Sequence, residues 1–170
     1  MKGFGEIDKS NKRKIFDSYQ KNDESKILKK AINYHYEGNI FQASKLYKML
    51  IEKGSNNSTI FINYGLILIN FGKLKEAEFF IRKAINLNPK DSKAHYNLGN
   101  LLKDTGKLKE SELSYRKAIK INPDYAEAHL NLGNILLNLG KLNEAKLCTE
   151  KVMSLRSWSI SGSYSFNYYF

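Results

Sequence analysis

Residues 94–123 read AHYNLGNLLKDTGKLKESELSYRKAIKINP, and the chain on either side repeats that pattern with substitutions. Thirty-four residues upstream, Phe61, Ile62, Asn63, Tyr64 and Gly65 answer His95, Tyr96, Asn97, Leu98 and Gly99. The same distance downstream, His129, Leu130, Asn131, Leu132 and Gly133 answer again. A fixed period of that length, with two helical patterns inside each unit, marks a stack of helix pairs. The expected fold is all-α, and each unit buries its apolar face on its neighbours rather than in one central core.

Four units fit, at residues 24–57, 58–91, 92–125 and 126–159, between a polar basic leader (1–23) and an aromatic and serine-rich tail (160–170). Ala31, Gly65, Gly99 and Gly133 fall in the first helices, and Ala43, Ala77, Ser111 and Ala145 twelve residues later in the second. Side chains this small let two backbones approach closely. Gly38, Gly72, Gly106 and Gly140 are placed to end each first helix in the left-handed conformation. Pro89 and Pro123 end the second helices of units two and three, since proline lacks the amide a helix needs. Units one and four diverge, with Ser55 and Ser157 for proline and Leu50 and Val152 for the small Ala84 and Ala118.

The series Leu98-Gly99, Leu102, Gly106, Ser111, Tyr115, Ala118 and Pro123 resembles the tetratricopeptide repeat (TPR) family. The resemblance implies a right-handed α-solenoid whose first helices line a concave groove, a place for a protein or an extended peptide.

Within that phase asparagine also recurs. Asn63, Asn97 and Asn131 lie two positions before Gly65, Gly99 and Gly133, so one full repeat should return each to the same face and form a row. In the similar repeats of O-linked N-acetylglucosamine transferases such a row grips a peptide backbone, and a carboxamide can donate and accept at once. The same amide could instead bond a neighbouring group or help the repeat pack. Unit one breaks the row with Lys29. Three hydrogen bonds at roughly 1 kcal/mol each fall short of the roughly 4 kcal/mol of a millimolar complex. Further contacts are expected from the same face, from Tyr96 and Leu130 one place earlier and Asn100 and Asn134 three places later. A chaperone-type carboxylate clamp is not expected, because Leu28, Ile32, Ile62 and Leu66 occupy positions where it needs lysine, arginine and asparagine.

Other chemistry is sparse. His95 and His129 share one repeat position and read as packing residues, and His35 lacks spaced metal-ligand partners. Cys148 stands alone, which excludes an internal disulfide and fits a reducing compartment. No phosphate loop, zinc spacing or nucleophile elbow is present, so neither an enzyme nor a cofactor is expected. The formal charge of +11 invites acidic partners. Its lysines nonetheless recur with the repeat and alternate with acids, as at Lys107, Lys109 and Glu110, which reads as a solvated convex face without a dedicated nucleic-acid role. The most apolar run, residues 60–71, is broken by Asn63, Gly65 and Asn70 and is shorter than the roughly 20 residues of a membrane span. No secretory signal is read at the start, and a cytoplasmic location is expected.

The ends are read separately. In the leader Ile15, Phe16 and Tyr19 offer apolar anchors, enough for one helical turn. From Trp158 aromatic and serine residues alternate, a strand pattern, and these aromatics are expected to lean on the bare face of unit four. The reading is a protein-interaction scaffold binding an extended peptide or partner protein, with weak self-association through the array ends as a further possibility. The alternative is the substrate-recruiting array of a longer glycosyltransferase-like enzyme.

Overall fold

The computed structural model describes residues 9–164, with side chains from 23 to 156. Its elements are α1 (Lys9–Tyr36), α2 (Ile40–Glu52), α3 (Ser58–Asn70), α4 (Leu74–Leu87), α5 (Ser92–Asp104), α6 (Leu108–Ile121), α7 (Ala126–Asn138) and α8 (Leu142–Tyr164), with no strand among the described residues. Each helix packs on the next, most extensively within the pairs α1–α2, α3–α4, α5–α6 and α7–α8, and α3 also touches α5. This neighbour-only packing makes an all-helical solenoid. Helices α3, α5 and α7 start at Ser58, Ser92 and Ala126, the residues that open units two, three and four.

One turn is built four times. Gly38, Gly72, Gly106 and Gly140 have φ of +76°, +72°, +76° and +74°. Behind each, the next amide reaches back to the helix: Lys73 N to the Leu68 carbonyl at 2.9 Å, Lys107 to Leu102 and Lys141 to Leu136 at 2.8 Å. The glycine amide itself reaches a second carbonyl, of Ile69, Lys103 or Leu137 in those three turns, so two otherwise unpaired carbonyls are satisfied at each helix end. On the entry side, the Asp91 carboxylate caps α5 by accepting from the Lys93 and Ala94 amides.

The core runs as a seam between units. Tyr47, Leu50, Ile60 and Ile67 form one part and Ile81, Leu98, Leu101 and Leu102 the next, all nearly inaccessible. Ser111, standing where the other units have alanine, is fully buried and donates to the Gly99 carbonyl at 2.7 Å. His95 and His129 donate from Nε2 to the carbonyls of Pro89 and Pro123 at 3.0 and 2.9 Å. They therefore tie α5 and α7 to the loops that precede them.

Ion pairs repeat on the second helices. Glu78 receives Arg82 and Lys107, and Arg82 reaches on to Glu110. One repeat later Glu112 receives Arg116 and Lys141, and Arg116 reaches Glu144. Some of the recurring lysines are thus engaged between units rather than simply solvated.

Both ends depart from expectation. In place of a single turn near Ile15, α1 runs unbroken from Lys9 into unit one. The segment holds no glycine or proline to stop it, and a packed helix extends at one hydrogen bond per residue added. The alternating tail is not a strand up to Tyr164, because α8 continues through it. A strand needs a partner edge for its amides and carbonyls, which this array does not offer, whereas a continuing helix satisfies them internally. The contacts expected of the tail aromatics, and residues 165–170 altogether, lie outside the described residues.

Candidate peptide-binding face

The face in question is made by α3, α5 and α7, whose side chains have little charge. Helix α3 has none, α5 has Lys93, Lys103 and Asp104, and α7 has Glu127 alone. Asn63, Asn97 and Asn131 are each partly exposed on it, as are Tyr96 and Asn100, while Leu130 and Asn134 are exposed. These residues do not form a uniform row.

At the junction of units three and four, three of them meet. Asn131 Nδ2 donates to the Asn100 Oδ1 at 2.9 Å and to the Tyr96 hydroxyl at 3.2 Å. The same Asn100 oxygen accepts the Tyr115 hydroxyl at 2.7 Å. The Tyr96 ring lies 4.9 Å from that of Tyr125 and 5.9 Å from that of Tyr115, centroid to centroid. Burial pushes the Tyr115 and Tyr125 phenols up to about 12, so both stay neutral throughout the physiological range.

At the junction of units one and two, Asn63 Nδ2 donates to the Tyr47 hydroxyl at 3.1 Å. Burial raises the Tyr47 phenol, and that hydrogen bond opposes the shift. At the middle junction the pattern fails. Asn97 has no side-chain hydrogen bond within the described residues, and no buried polar side-chain atom lacks a partner, so its carboxamide faces solvent. Leu130 and Asn134 are not drawn into the hydrogen-bonded cluster.

Tyr47, Tyr115 and Tyr125 are absent from the sequence-derived site. The first two lie sixteen residues before Asn63 and Asn131, in the preceding unit's second helix, and that offset was the available signal. Among the described residues no three His, Cys, Asp or Glu side chains come together as a metal site, and no helix is long and apolar enough to cross a membrane.

Family models agree with this architecture. A TPR repeat model matches residues 99–140, and tetratricopeptide repeat models match 80–112, 58–91 and 126–157, together spanning 58–157 without a gap. The chain belongs to the tetratricopeptide repeat family. Comparison with curated proteins finds no match. Among solved structures this TPR array is similar to MamA, with 18% identity and a TM-score of 0.77 over 91% of this chain and 98% of that one. It is also similar to YrrB, a TPR protein with an unusual peptide-binding site, at 20% identity and a TM-score of 0.67 over 75% of this chain and 66% of that one. The O-GlcNAc transferase of Thermobaculum terrenum is 26% identical, with a TM-score of 0.62, over 66% of this chain and 22% of that chain.

Proposed function

We propose that this TPR array is a protein-interaction module that takes an extended, weakly charged peptide segment on the face of α3, α5 and α7. The observation that carries the reading is the near-neutral surface of amides and tyrosines on those helices, in a chain whose overall charge is +11. A carboxamide suits a peptide group whatever its side chains, because it offers a donor and an acceptor together. The exposed Leu130 adds apolar area, worth about 25 cal/mol per Å² covered. YrrB, with its peptide-binding site, lends the reading support as a relative in fold. The cytoplasm, which keeps the lone Cys148 thiol reduced, is the compartment this reading adopts, and it assigns no catalytic step to the chain.

The test is selection of a random 16-residue peptide library on the full chain, followed by titration against the Leu130→Arg, Asn134→Arg double variant. Both side chains are exposed, so folding should be unaffected. Peptides that bind the parent and lose at least tenfold on the variant support the face; peptides that bind both alike place binding elsewhere.

A second reading is favoured by the 26% identity to the Thermobaculum terrenum enzyme, of which the matched part is a minor share. In that case the array recruits substrates for a glycosyltransferase domain. Its test is whether the reading frame continues into such a domain.

A further inference from the structure

We infer that the three equivalent asparagines divide two tasks: Asn97 alone presents its carboxamide to a ligand, while Asn63 and Asn131 couple neighbouring repeats. The assignment rests on the peptide-binding reading for its ligand but on geometry for the division. Asn131 donates to groups at two positions of the preceding unit, Tyr96 and Asn100, and Tyr115 at a third fixes that Asn100 oxygen. Moved back one repeat, those positions are Ile62, Leu66 and Ile81, which have no hydrogen-bonding side chain to offer Asn97. For Asn63 they are Leu28, Ile32 and Tyr47, and the remaining hydroxyl suffices. The array thus supplies an internal partner at the first and third junctions and withholds it at the second.

An amide set among aliphatic positions and open to solvent has both its donor and its acceptor free for one peptide unit. The Asn63 and Asn131 amides would have to give up a protein partner first, so the gain from a ligand there is smaller. Ile81 is therefore the specificity-determining residue, since a tyrosine in its place would engage Asn97 from within. Gly65 leaves room for that ring, because Ile81 lies against it as Tyr115 lies against Gly99.

The experiment compares the full chain with Asn63→Ala, Asn97→Ala, Asn131→Ala and Ile81→Tyr by thermal unfolding and by titration with one library-selected peptide. Asn63→Ala and Asn131→Ala should lower the melting temperature by a few degrees and leave affinity within about threefold. Asn97→Ala should leave the melting temperature within about a degree and weaken binding about tenfold, the equivalent of about 1.4 kcal/mol. Ile81→Tyr should keep or raise the melting temperature and weaken binding to the same extent. If that variant folds poorly, Leu66→Asn, which reproduces Asn100, takes its place. The assignment is overturned if Asn97→Ala destabilises as Asn131→Ala does. It is equally overturned if Asn63→Ala or Asn131→Ala cuts affinity tenfold at an unchanged melting temperature, or if Ile81→Tyr binds like the parent. Should the library yield no peptide that depends on Leu130 and Asn134, the groove reading fails by itself, and the order of melting temperatures still decides the division.

Discussion

Gly99 lies flat against the ring of Tyr115: a Cβ at Gly99 would sit 2.6 Å from Tyr115 Cε1 and 2.7 Å from Cδ1. Tyr115 is fully buried and its hydroxyl is held by Asn100, so the ring has nowhere to retreat. At Gly133 the equivalent Cβ would meet the Cys148 Cβ at 3.4 Å and the Ala145 carbonyl oxygen at 3.7 Å, both without overlap. Overpacking a core costs about 1–3 kcal/mol, and replacing glycine by alanine in a helix returns about 1 kcal/mol. Gly99→Ala should therefore lower the melting temperature by several degrees, while Gly133→Ala should leave it unchanged or raise it. Thermal circular dichroism of the two variants checks this directly.

The ion pairs between units give a second expectation. Glu112 is mostly buried and receives Arg116 from its own helix and Lys141 from the next unit, both at 2.9 Å. The two cations remain some two fifths exposed, which places each pair toward the surface value of about 0.2–1 kcal/mol. Glu112→Gln should destabilise by about 1 kcal/mol in low salt, and the gap to the parent should narrow in 1 M salt, where the Debye length falls to about 3 Å. Urea titrations at the two salt concentrations measure it.

Acid should act through the same carboxylates. Lys107 and Arg82 hold the Glu78 carboxyl below its ordinary value, with burial opposing them. At Glu112 burial pushes the carboxyl up, and the hydrogen bonds and charges of Lys141 and Arg116 overcome it, so the net shift is again downward. A depressed folded pKa means that the folded state binds protons less readily than the unfolded chain, so stability falls as pH falls. The contribution is complete above the unfolded carboxylate value of about 4.3, and it is lost on descending through the lower folded values. Melting temperatures recorded from pH 6 to pH 3 should drop below about pH 4.5 for the parent. They should drop less for the Glu78→Gln, Glu112→Gln double variant.

The fold was legible because its packing residues recur: the glycine at Gly99, the turn at Gly106 and the end at Pro123 are each written more than once along the chain. The shared phase of Asn63, Asn97 and Asn131 was legible for the same reason. Their differing hydrogen bonds were not, because these depend on positions of the preceding unit that vary between repeats, tyrosine at 47 and 115 but isoleucine at 81. Periodicity locates what units share and is silent on what distinguishes them. At the C-terminal end the alternation after Trp158 suggested a strand, yet α8 runs on to Tyr164. A local pattern yields there to the need for every backbone amide to find an acceptor.

Cys148 offers a reading of how firmly the last unit is closed. Its thiol is buried, and that burial raises its pKa above the ordinary value; Glu144 pushes in the same direction and Arg116 against it. Only the thiolate attacks a disulfide reagent, so both access and ionisation slow the reaction. At pH 8 the folded chain should react with an aromatic disulfide at least tenfold more slowly than free cysteine, and in 8 M urea the two rates should converge. Because repeat arrays open locally from their ends, the residual folded-state rate reports opening of α7 from α8. Gly99→Ala reaches that cluster from the preceding unit, through Tyr115, and should raise the rate less than a substitution of the buried Leu136, which packs there from α7 itself. Equal acceleration by both would mean that units three and four open together.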